Sequence, residues 1–168
     1  MGSLNQAYKE FSNKGYNGIG SFISKTHSKE NIIYDLLALH IDKIDYITSV
    51  IKEKVNSYNE FLELLVRFPD DIKFSKQLFK LRENPEMNLA LLYGISAIKP
   101  IIIPLFKDHF ILSENPEYFN SVWMTLVESW YTRVDVNNLS AEHMQDLSEE
   151  TGKIAMKLNK HYSKKQMK

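Results

Sequence analysis

At 168 residues with no cysteine, the chain is sized for one hydrophobic core and excludes both a disulfide framework and thiolate metal ligands. Lysine plus arginine and aspartate plus glutamate stand at 21 each, so no net field draws in nucleic acid or an anionic membrane. Hydrophobic residues at 43%, with 6 glycines and 5 prolines, exclude linker-like, collagenous and turn-dense β chains and point to helices.

In chain order, Asn5 to Phe11 predicts a short amphipathic helix through Ala7, Tyr8 and Phe11. Gly15, Gly18 and Gly20 then break it, which makes residues 1–27 an N-terminal arm. Ser28 is a candidate N-cap. From there apolar or large residues recur at spacings of three and four through Ile33, Leu37, His40, Ile44, Ile47, Ile51, Val55, Tyr58, Leu62 and Leu65. That run is one long rod or two helices bending near Asn56 and Ser57, both mediocre helix formers. Phe68-Pro69-Asp70 ends or kinks it.

A third helix follows through Ile72, Phe74, Leu78 and Phe79, and Asn84-Pro85 opens a fourth that Pro100 closes. Pro104 keeps the segment from Pro100 to Phe110 short or irregular, because each proline removes a backbone donor. Asn115-Pro116 opens a helix through Trp123, Leu126, Val127 and Trp130, stopping at Asn137-Asn138. Ser140 caps a last helix with Met144, Leu147, Ile154 and Leu158 on one face and lysines towards its end, where the helix dipole favours cations. Strand alternation is not found. Charged residues and prolines interrupt the most apolar stretch, Leu89 to Leu112, so no membrane insertion is expected. With no charged start followed by an apolar run, the expected location is cytoplasmic.

Motifs that carry chemistry are sparse. Glu63, Asp70, Asp71 and Glu86 have no spacing that pairs two carboxylates across a cleft. His27, His143 and His161 lack metal-ligand spacing, and no phosphate loop or nucleophile motif is present. An enzyme is therefore not expected. His40 lies in the apolar seam of the long helix, where it either satisfies a neighbouring carbonyl or holds a carboxylate or halide. Trp123 and Trp130, with Ile154 and Leu158, give the last two helices more apolar width than one inner face needs.

Two segments carry a family resemblance. Asn59-Glu60-Phe61-Leu62-Glu63-Leu64-Leu65-Val66-Arg67-Phe68-Pro69-Asp70-Asp71-Ile72-Lys73-Phe74 resembles the end of the globin second helix, its breaking proline and the aromatic corner beyond. His109, with Pro116 seven residues on and Tyr118-Phe119 after it, resembles the haem-ligating histidine and the start of the penultimate helix. The interval from Phe74 to His109 is shorter than haem-binding globins use, and no distal histidine falls where one would stand. In this the chain is similar to the haem-less sensor globins of bacilli, including sporulation-inhibitory proteins that resemble the sensor domain of a sporulation histidine kinase.

The resemblance implies an all-α, globin-like helical bundle over residues 28–162, with an extra N-terminal helix before it and a basic tail, 163–168, after it. It implies a homodimer whose bundle is formed by the last two helices, around Trp123, Trp130, Ile154 and Leu158. It implies no cofactor. In place of haem it implies an apolar guest, a fatty acid with an accompanying halide, in a space lined by Phe61, Leu65, Leu92, Ile95, Phe106 and Trp123, with His40, Arg67 and Lys99 as candidates for the head group. The alternative is a haem globin that binds a diatomic gas through His109.

Overall fold

The computed structural model describes residues 3–24, 27–110 and 116–166. The all-α class is observed: seven α-helices and no strand occur among the described residues. Asn115, the expected cap of the sixth helix, lies outside them, as do residues 111–114 of the His109 motif and Met167 and Lys168 of the tail. The chain divides into two units, one comprising residues 1–53 and 68–98, the other residues 54–67 and 99–168.

The first unit holds α1 (Leu4–Lys14), α2 (Lys29–Lys54, whose last residue falls in the second unit), α4 (Pro69–Lys80) and the opening of α5 (Pro85–Phe110). Ser3 caps α1 by accepting from the Gln6 N–H, and Gly15 ends it at φ 63°, in the region that favours glycine. The helix of the N-terminal arm is built into this unit's core, with Ala7, Tyr8 and Phe11 buried. Gln77 on α4 donates to the Ser12 carbonyl at 3.3 Å and Lys73 to Asn13 Oδ1 at 3.2 Å, binding α1 to α4. Ser28 caps α2 as expected, accepting from the Asn31 N–H, and Ile32, Leu36, His40, Ile47 and Ile51 form its buried seam.

The long run is two helices. α3 (Tyr58–Leu65) starts afresh at Ser57, whose side chain accepts from the Glu60 N–H while Glu60 Oε2 accepts from the Asn56 N–H. Ser57-Tyr58-Asn59-Glu60 thus satisfies orphan donors in the manner of a capping box, which ends the rod more firmly than weak helix propensity would. Pro69 is the first residue of α4, where its missing N–H costs nothing. Asn84 Oδ1 accepts from the N–H groups of Glu86 and Met87 at the start of α5.

Pro100 does not close that helix. α5 runs unbroken through Pro100 and Pro104 to Phe110. The prolines stand four residues apart, so the carbonyls they deprive of donors belong to Ser96 and Pro100. Ser96, Pro100 and Pro104 are all exposed, which puts the loss on the wet side of the helix. By length and composition α5 matches a helix able to cross a membrane, as an apolar core helix also can. Glu86, Lys107 and Asp108 cluster at its ends, leaving Lys99 alone in the middle.

The second unit contains α3, the end of α5, α6 (Pro116–Arg133) and α7 (Ala141–Gln166). Ser140 caps α7 by accepting from the His143 N–H, and His143 Nε2 accepts from the Asp135 N–H at 2.9 Å, fixing the α6–α7 turn. Leu126, Met144, Leu147 and Ala155 are buried, and α7 packs against both α3 and α6. Gly152 faces the Phe110 ring so closely that a Cβ there would run into it.

Two glycines in the first unit give a controlled test. A Cβ at Gly18 would collide with the backbone carbonyl of Glu10, whereas one at Gly20 meets nothing within 4 Å. Gly18→Ala is expected to lose about 1–3 kcal/mol through overpacking, and Gly20→Ala to change stability by less than about 0.5 kcal/mol, as measured by chemical denaturation.

Candidate functional site

Two clusters concentrate the chemistry-bearing side chains, one in each unit. In the first, Tyr8 on α1 lies between His40 on α2 and Asp71 on α4. Its hydroxyl donates to Asp71 Oδ1 at 2.7 Å and lies 2.8 Å from His40 Nδ1. With Asp71 as a carboxylate the single hydroxyl proton is committed, so the tyrosine oxygen accepts from an Nδ1–H on His40, which assigns the imidazole tautomer. Phe74, one turn beyond Asp71, lies flat against both rings, with centroids 4.3 Å from Tyr8 and 4.5 Å from His40. Lys43 sits over the Tyr8 ring at 5.0 Å.

Burial governs the electrostatics. It lowers His40 to about 3, with the nearby Lys43 charge adding to the effect. Burial also pushes the Tyr8 hydroxyl far up, reinforced by the Asp71 charge and hydrogen bond. Asp71 is raised by burial, against the opposing pull of its Tyr8 hydrogen bond and of Lys43. At neutral pH the imidazole is neutral and the phenol protonated, each too far from its titration to exchange a proton in a reaction. The triad is a polar clamp for three helices.

The second cluster centres on Tyr58, whose hydroxyl donates to Ser148 Oγ at 3.1 Å. Around its ring stand Phe61, Phe106, Phe110 and His109, with centroids 6.1, 5.5, 5.8 and 5.2 Å away. Phe106 and Phe110 also touch each other, at 4.7 Å. His109 itself is exposed, its ring edge-on to Phe110.

The sequence-predicted residues distribute as follows. Phe61 and Phe106 are buried and meet through Tyr58; Leu65 and Trp123 are half-buried in the same unit. Ile95 is buried and Leu92 exposed, both in the first unit with His40. Arg67 is exposed just past α3, and Lys99 is half-buried on α5. Trp130, Ile154 and Leu158 are half-buried. His40 is buried against Tyr8, where burial disfavours its charged form. Sequence reasoning missed Tyr8 and Asp71 as its partners. Asp71 and Phe74, three residues apart on one helical face, were the available signal.

No protein-family model, curated protein or solved structure matches this chain. Its function is therefore argued from its own residues. Among the described residues, no group of three or more His, Cys, Asp or Glu is placed to hold a metal ion.

Two expectations follow from the clamp. Tyr8→Phe keeps the ring against Phe74 but strands the His40 N–H and removes the donor to Asp71, so it should cost about 1–3 kcal/mol in denaturant unfolding. The second concerns pH. Below 6.5 an unfolded histidine takes up a proton that folded His40 refuses until about 3, so the unfolded chain binds more protons and stability falls as pH drops through that window. Asp71, raised in the fold, acts oppositely: its contribution is complete below 3.8 and is lost as pH rises through its folded value. Asp71 is common to wild type and His40→Gln, so comparing the two isolates the histidine. Between pH 6.5 and 4.5 the wild type should lose roughly 2 kcal/mol more than His40→Gln.

Proposed function

We propose that this chain is a haem-free regulatory domain of the sensor-globin type, which takes up an apolar signal molecule, a fatty acid in the first instance, and has no catalytic activity. The observation that carries this reading is the setting of His109. The histidine of the globin-like motif is exposed, and aromatic rings stand against it, that of Tyr58 at 5.2 Å and that of Phe110 at 4.7 Å. The same cluster supplies apolar surface suited to an acyl chain, each buried methylene of which contributes about 0.8 kcal/mol.

The head group needs a cation. With His40 held neutral, Arg67 takes first place among the three candidates: it is exposed two residues beyond half-buried Leu65 and six beyond buried Phe61, all in one unit. A guanidinium there can pair with a carboxylate at the surface while the chain lies inward. The non-enzymatic part of the reading is supported by the Tyr8–His40–Asp71 clamp, the group nearest in type to an acid–base site, in which burial holds the phenol protonated and the imidazole neutral at neutral pH. The regulated partner implied by the family resemblance is a sporulation sensor histidine kinase, reached by titrating the shared signal.

Protein expressed with haem available should be colourless, carry lipid in native mass spectrometry, and gain thermal stability from fatty acids of twelve to eighteen carbons (about the span of common acyl chains). Arg67→Gln should weaken that stabilisation several-fold without lowering the melting temperature of the free protein. Neither lipid nor stabilisation would overturn the reading. Stoichiometric haem absorbance that disappears in His109→Ala would replace it with the haem alternative.

A further inference from the structure

In the first unit, α2 and the opening of α5 run side by side in the same direction. Tyr34 on α2 donates to Glu86 on α5 at 3.2 Å, Tyr93 on α5 donates to Asp45 on α2 at 2.5 Å, and Gly94 lets Ile44 approach between the helices. Along this seam large apolar side chains face solvent: Leu89 is 71% exposed, Tyr34 55% and Tyr93 41%. Singly scattered exposed hydrophobics need no explanation, but these three lie on two helices that their own tyrosines tie together. None of Trp123, Trp130, Ile154 and Leu158, the residues expected to form a dimer face, is as open.

The rim of the strip has one sign. Glu86 and Asp45 hold its two tyrosines by hydrogen bonds, and Glu30 and Asp42 lie within electrostatic reach of Tyr34 and Tyr93 respectively. Residues 85–98 of α5 contain no lysine or arginine. Residues 30–51 of α2 contain one lysine, Lys43, and it is turned to the Tyr8 ring. The occupant must therefore be apolar and basic, which disfavours an anionic bilayer.

This chain carries such a surface. From 151 to 161, α7 has no acidic residue, and Lys153, Lys157 and Lys160 fall on one helical face together with Met156; all four are exposed. Lys153 and Lys160 are separated by roughly 10 Å of helix rise, enough with their flexible stems to meet carboxylates at both ends of the strip. We propose that the acidic, aromatic α2/α5 strip receives the basic face of α7 from a second copy of the chain. This contact is independent of the ligand reading, and it places the dimer seam on the acidic strip of one copy and the lysine face of the other.

Sedimentation velocity of the full chain at micromolar concentration tests it. The wild type should be dimeric in low salt and dissociate in about 1 M salt, where screening reaches contact distances. Asp45→Lys with Glu86→Lys, and separately Lys157→Glu with Lys160→Glu, should each weaken association by about tenfold or more while circular dichroism stays helical. Mixed one to one, the two variants regain opposite charges at every contact and should associate as the wild type does. A monomeric wild type, variants that remain dimeric, or a mixture that fails to associate would each overturn the proposal.

Discussion

The hydroxyl of Tyr8 is the point at which three helices of the first unit agree. It uses both of its hydrogen-bonding roles at once, giving its proton to Asp71 and accepting that of His40. Phe74 closes the arrangement by stacking on both rings. A buried imidazole and a buried phenol are expensive unless satisfied, and here each satisfies the other. Their burial also removes them from acid–base chemistry, since the pressure that keeps the histidine neutral keeps the tyrosine protonated. One residue pattern thereby fixes the N-terminal helix into the core.

Much of this architecture was legible in the residues. The caps at Ser28, Asn84 and Ser140 were read and are observed, because a capping side chain acts within three residues of itself. A break near Asn56 and Ser57 was one of two readings of the long run, since Ser57 and Glu60 act as a pair while propensity weighs them singly. Pro100 misled for a related reason. A proline's local cost is certain, but whether the helix survives depends on where the orphaned carbonyls lie, and that is set by which face of α5 meets the core.

The clamp was less legible than the helices that carry it. His40 was visible in an apolar seam, yet its partner lies 32 residues earlier on a segment whose glycines suggest a detached arm, and Asp71 lies 63 residues beyond Tyr8. Periodicity reports which face is buried, and long-range pairing across that face leaves no local trace. The same limit applies in the second unit, where Tyr58 gathers Phe61, Phe106, Phe110 and His109 from two helices. The spacing around His109 did not reveal that the Tyr58 and Phe110 rings stand against it.

The account rests on His40 being a neutral donor inside the clamp, not a charged anchor for a ligand. Nitrogen-15 correlation spectra of the histidine rings measure this directly. The account predicts that His40 carries its proton on Nδ1 at pH 7 and remains neutral at pH 5, more than a unit below the ordinary imidazole value. A His40 ring that is protonated on both nitrogens at pH 5, or that carries its proton on Nε2 at pH 7, would contradict it.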